Sequence, residues 1–294
     1  TVRAVARYVE SCIVARHTDM SEPDGTELRW VGQQLHQAAG VLDMVELPAA
    51  ARTLRALEAA VQRFLQKPAA VTEDAPGAVR RGTHALIDYL DRLLRGRTVQ
   101  ALDLYATYRQ WQQLAGAARA HPADLWTEPH ADVLLPPGPV YEPGPVIRAH
   151  LDGLVLRVVK ALDPQAALAL ARLSAGLGRH AEAAEVRRFW AVAAAYFEAV
   201  ASGRLPDDPL VKRAASTVLL RYSQLQHGDV QGLDGHIHDL LFWTTQVRPD
   251  AQEAAQRCLQ AVWEAHGWTE VLAWDAAHSD LGSYDPTVLR ALKT

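Results

Sequence analysis

Apolar residues return at intervals of three and four along almost the whole of this 294-residue chain, and strict alternation of apolar with polar residues occurs almost nowhere. The first pattern lines one face of a helix, whereas the second is what a half-buried strand needs. A chain patterned in this way folds as helices packed face to face. The make-up of the apolar fraction, 49% of residues, points the same way. Alanine and leucine dominate it, β-branched residues other than valine are sparse, and phenylalanine numbers four. Such a mixture favours helix over strand by intrinsic propensity. The length allows one or two domains, each with a substantial core.

The spacing predicts helices at about 2–17, 27–47, 49–66, 76–95 and 98–118. Further helices are expected at about 146–162, 164–177, 180–202, 208–227, 249–266 and 285–293. Pro48 suits the first turn of a helix after a break at Leu47. Pro68 and the segment 72–77 separate the third helix from the fourth, and Gly96 closes the fourth behind Arg92 and Arg95. Asp163-Pro164 and Asp208-Pro209 are helix-start pairs, the aspartate as cap and the proline at the first helical position. Residues 228–248 are ambiguous, and LLFWTTQV within them reads as a helix end or a short strand. No solenoid-type repeat is present.

The stretch ARAHPADLWTEPHADVLLPPGPVYEPGP holds seven of the sixteen prolines, too many for regular helix. Trp126, Leu134, Leu135 and Tyr141 lie in it, so it is expected to drape over a surface with those side chains pinned. The domain reading is therefore a first helical bundle over 1–118, a proline-rich connector over 119–145 and a second all-helical domain over 146–294.

The formal charge of −4 and pI near 6.3 leave no basic stripe for phosphates, so no nucleic-acid partner is expected. Cys12 and Cys258 fall far apart inside helical patterns and read as buried free thiols of a reducing, cytoplasmic setting. No run of about 18 apolar residues occurs, so no membrane insertion is expected. The chain opens without methionine in TVRAVARYVESCIVARH, as a piece of a longer protein would. No G-x-S-x-G, Walker A or kinase nucleotide motif is present, and no cofactor is expected. Gly176-Leu-Gly178-Arg-His-Ala181 matches a dinucleotide string but follows a helical stretch, so it reads as a helix-to-helix break. His236-Ile-His238-Asp239, with Asp234 nearby, resembles metal ligands without a third member at useful spacing and reads as solvated loop; no metal is expected. His180, Glu182 and Glu185 read as an exposed helix start. Phe189, Trp190, Tyr196 and Phe197 read as core, and Trp243, Trp263, Trp268 and Trp274 as packing of the C-terminal end.

The segment from Glu27 to Leu47 is the one with chemical content. Its apolar seam runs through Leu28, Val31, Leu35, Ala38, Leu42 and Val45. His36 lies about 100° round the helix from that seam, on its shoulder. One turn before and one turn after it stand Gly32 and Gly40, each costing about 1 kcal/mol against alanine. Either the glycines bare the imidazole to an approaching partner, or they let another helix pack closely.

HQAAG resembles the core of a histidine phosphotransfer (Hpt) helix, His-x-x-Lys-Gly. LHQAAGVLDMVELPAAARTLRALEAAVQRFL is similar to the N-terminal region of the PilL/ChpA family, CheA-like hybrid histidine kinases of type IV pilus and twitching-motility systems. The similarity continues through HALIDYLDRLLRG, RRFWAVAAAYFEAVASGRL and VKRAASTVLLRYSQL, and the related FimL scaffold shares this architecture. It covers about residues 1–230 and is strongest at 30–58 and 187–222. The resemblance implies an all-α protein, an Hpt-like bundle followed by a second helical domain. It also implies that His36 is the phosphoacceptor and that Arg29, Gly32, Gln33, Gln37 and Gly40 face the phosphate or the receiver. The lysine of that pattern falls on Ala39, and loss of a cation where negative charge develops slows transfer. Arg29 lies on nearly the same face but about 10 Å away along the axis. The implied partners are response-regulator receiver domains or pilus polar-landmark proteins. Three roles stay open: a non-enzymatic docking module, a competent phosphorelay protein working through His36, and an unrelated helical ligand-binding module.

Overall fold

The computed structural model describes residues 2–18, 24–250, 253–272, 274 and 281; the helix expected at 285–293 lies outside the described residues. Among them the regular structure is entirely helical, eleven α-helices joined by turns. The chain divides into two compact units, Thr1–Thr127 with Trp274–Thr294, and Glu128–Ala273.

The first unit contains α1 (Val2–Thr18), α2 (Thr26–Met44), α3 (Pro48–Gln66), α4 (Ala75–Leu94) and α5 (Tyr105–Ala115). They close in a ring: α1 on α2, α2 on α3, α3 on α5, α5 on α4, and α4 back on α1. Leu28, Val31, Leu57, Val61, Phe64, Val79 and Trp111 meet inside it, all inaccessible to solvent. Burial of side chains of this size stabilises by about 1.5–3 kcal/mol each. The helix expected at 98–118 is shorter, because Gln100 and Asp103 form a reciprocal cap over a single 3-10 turn before α5. α2 stops at Met44 rather than Leu47, since Glu46 takes a left-handed φ of 59° and Leu47 N–H folds back to Leu42 at 2.9 Å. Trp274 belongs to this unit, its ring edge-on to Tyr105 with centroids 5.7 Å apart.

The second unit contains α6 (Pro145–Ala161), α7 (Pro164–His180), α8 (Ala184–Ala201), α9 (Pro209–Gln226), α10 (Leu233–Thr244) and α11 (Arg257–His266). α8 is its axis, buried at every position from Phe189 to Val200, with α7, α10 and α11 against it. Phe189, Trp190, Tyr196 and Phe197 are core, as their pattern requires. Both Asp-Pro starts form: Asp163 accepts from Gln165 and Ala166 N–H at 2.9 and 3.1 Å, and Asp208 from Leu210 N–H at 2.6 Å. The ambiguous stretch contains α10, whose LLFWT end is buried helix and not strand. Trp263 lies edge-on to Trp268 and donates to Thr244 O at 2.9 Å.

The proline-rich chain is strapped to the end of α7. Arg179 donates to Pro136 O and Pro139 O, and Tyr141 N–H bonds Gly176 O at 3.1 Å. Gly176 and Gly178 do not break α7; they lie in its last turns. A Cβ on Gly176 would enter the Tyr141 ring, and one on Gly178 would strike Leu135. Leu134, expected to be pinned, is 87% exposed, and Val133 is buried in its place. In extended chain neighbouring side chains point opposite ways, so Val133 and Leu135 face in together while Leu134 faces out.

Candidate functional site

α2 buries Leu28, Val31, Gly32, Leu35 and Ala39, so its seam turns past the expected Ala38, which is exposed with Val45, and Leu42 is half-buried. A straight helix drifts about 20° per heptad against a 3.5-residue repeat, and over two heptads that carries position 39 inward and 38 outward. Ala39 is 1% exposed. The position where the Hpt pattern carries lysine therefore faces the core of this bundle, where an ammonium group has no place.

His36 stands on the opposite shoulder with its side chain 75% exposed. Its Nδ1 lies 3.1 Å from Glu58 Oε1 on α3, a half-buried carboxylate. A carboxylate accepts, so the ring donates from Nδ1 and the neutral imidazole keeps its lone pair on Nε2. The neighbouring helix thus orients the ring and leaves Nε2 as the nitrogen without the proton.

Two lobes of an open cleft meet at this histidine. One, of about 890 Å³, is lined by Arg29, Gly32, Gln33 and Gln37 of α2 together with Glu58 and Gln62 of α3. The other, of about 680 Å³, is lined by Arg55, Glu58, Gln62, Arg63 and Lys67 beside His36. Four of the five α2 residues expected around His36 are gathered here. Gly40 is not among the lining residues; a side chain there would meet open space. Gly32 is buried, yet a Cβ on it would touch Val61 at an ordinary 3.9 Å, so neither glycine is demanded by close helix packing.

Sequence reasoning missed everything that α3 and its C-terminal end contribute: Glu58, and the cations Arg55, Arg63 and Lys67. Arg55 pairs with Asp43 of α2, and Arg63 Nη1 donates to Leu114 O at 3.2 Å. Elsewhere on α2, Trp30, Val41 and Met44 leave large apolar surfaces in water, Met44 being 77% exposed. At 100° per residue they share one outward stripe of α2, roughly 80–140° round the helix from His36.

The other histidine clusters do not assemble into a site. His236 and His238 are on α10 rather than in a loop, because Leu233, Ile237, Leu240 and Leu241 give that stretch a buried helical face. His236 Nδ1 meets the buried Arg221 guanidinium at 2.7 Å. His180 is the last residue of α7, not the start of the next helix. No group of three or more His, Cys, Asp or Glu among the described residues could hold a metal ion. Cys12 and Cys258 are both buried. Among the described residues no helix is long and apolar enough to cross a membrane.

Residues 140–280 match the family described as FimL scaffold protein, second domain. The matched stretch spans almost the whole second unit and continues well past residue 230, where the motif similarity thins. No curated protein and no solved structure matches the chain significantly.

Proposed function

We propose that this chain is a docking scaffold of a type IV pilus chemosensory system, its first unit an Hpt-type bundle that offers α2 to a receiver domain. The observation that carries the reading is the match of residues 140–280 to the second domain of a scaffold family. The exposed apolar stripe of Trp30, Val41 and Met44 on the same helix as His36 supports it. Large apolar side chains gathered next to a polar centre are the usual anchors of a protein interface. The role belongs in the cytoplasm, beside a PilL/ChpA-type kinase, and pilus polar-landmark proteins are the other class of partner it would suit. Calorimetric titration with the receiver domains of the same pilus system tests it. Trp30→Glu and Met44→Glu should each weaken binding at least tenfold; a receiver that binds both variants as tightly as the parent chain rules out α2 as the docking face.

A second reading, that His36 itself accepts a phosphoryl group, is favoured by the exposed imidazole held through Nδ1 by Glu58. The Nε2 lone pair would attack the phosphorus of a receiver aspartyl phosphate, forming the N–P bond as the bond from phosphorus to the carboxylate oxygen breaks. The aspartate leaves as carboxylate, and the Nδ1 proton stays shared with Glu58 as the ring gains charge. Incubation with a labelled phospho-receiver should give acid-labile label that His36→Gln abolishes and Glu58→Gln slows. Label that survives His36→Gln would refute this reading.

A further inference from the structure

The cleft at His36 is lined by more cations than carboxylates. Of the residues lining its two lobes, Arg29, Arg55, Arg63 and Lys67 are cationic and Glu58 is the single carboxylate, in a chain of net charge −4. Cations converging on one concave surface repel one another and concentrate anions there. Two of the four, Arg55 and Arg63, stand on α3 on either side of the Glu58 that holds the imidazole, and Lys67 caps the C-terminal end of that helix. Two of these are braced: Arg55 by Asp43, and Arg63 by the Leu114 carbonyl, with its guanidinium in the space a side chain at Gly116 would take. One carbonyl bond leaves most of a guanidinium's five N–H donors available.

We propose that Arg55, Arg63 and Lys67 form a site for a tetrahedral oxyanion beside His36, and that they supply the charge neutralisation which buried position 39 cannot. The proposal rests on the phosphoacceptor reading of His36. As the Nε2–phosphorus bond forms, the bond from phosphorus to the leaving group breaks and its electron pair departs with that group. The three remaining phosphoryl oxygens carry the charge that Arg55, Arg63 and Lys67 hold.

The test has two arms on the intact chain. In the first, inorganic phosphate is titrated while the His36 ring and arginine Nε–H resonances are followed by NMR. In the second, phosphoramidate serves as donor, passing its phosphoryl group to Nε2 with ammonia leaving. The variant carrying Arg55→Gln, Arg63→Gln and Lys67→Gln together should bind phosphate at least tenfold more weakly and take up label at least tenfold more slowly. Arg55→Lys with Arg63→Lys should keep most of both, which a merely structural role for the arginines would not produce. Phosphate binding unchanged in the glutamine variant overturns the proposal, and so does labelling of that variant at the parent rate. Phosphate binding that the glutamine variant loses, with no label in the parent chain, supports the oxyanion site and refutes the phosphoacceptor reading instead. Neither binding nor label in the parent chain overturns both.

Discussion

Glu198 should make the second unit more stable when its charge is removed. It sits inside α8, buried, and accepts a hydrogen bond from Leu259 N–H at 2.7 Å in the first turn of α11. Burial is the main cause that pushes its carboxyl up to about 7, against the lowering effects of the Leu259 N–H and of the Cys258 thiol and N–H. The unfolded chain titrates near 4.5, so between these values the folded state holds a proton that the unfolded state has released. The contribution of Glu198 to stability is therefore complete below pH 4.5 and is lost as pH rises through about 7. At about 1.36 kcal/mol per pH unit the loss approaches roughly 3 kcal/mol by pH 8.5. Glu198→Gln keeps an oxygen for Leu259 N–H and stays neutral throughout. Denaturant unfolding should find it within about 0.5 kcal/mol of the parent at pH 4 and about 1–3 kcal/mol more stable at pH 8.5. Glu198→Ala, which orphans the N–H and leaves a cavity, should cost about 2–4 kcal/mol at pH 4 and much less at pH 8.5, where it too is rid of the buried charge. A glutamine variant with the parent's pH dependence, or one less stable than the parent at pH 8.5, would refute the reasoning.

Gly176→Ala should destabilise by about 2–4 kcal/mol, because the methyl enters the Tyr141 ring. Adding Tyr141→Ala should recover at least half of that in thermal or denaturant unfolding; additive losses would show that the strap is not what Gly176 accommodates. Ala39→Lys should cost more than about 2 kcal/mol, since the ammonium must leave a site that is 1% exposed, and it should not raise uptake of label by His36. Gly40→Ala should stabilise the first unit by about 1 kcal/mol through helix propensity, with open space for the methyl, and receiver binding weakened in the same variant would identify Gly40 as a point of close approach.

What could be read from the chain in advance was whatever depends on near neighbours in sequence. Asp163-Pro164 and Asp208-Pro209 start helices because cap and proline act within one turn, and no distant residue can alter that. Gly176 and Gly178 look the same whether they end a helix or make room for a partner, and the partners, Tyr141 and Leu135, are thirty-five and forty-three residues away. Ala38 and Ala39 are alike in kind, so only the accumulated rotation of a straight helix decides which is buried, and a heptad reading chooses the wrong one. Glu58 is the instructive omission. It lies in the stretch whose resemblance was noticed, but its role needs the register of the α2–α3 hairpin. Two straight antiparallel helices of equal rise pair residues equidistant from the turn between them. His36 and Glu58 each stand eleven residues from Leu47, the residue on which that turn closes. Once the break before Pro48 had been recognised, the same reflection would have taken Gly32 to Gln62, next to the Val61 it approaches. The site was therefore within reach of the sequence, through the geometry of one short turn and not through the motif that first drew attention to His36.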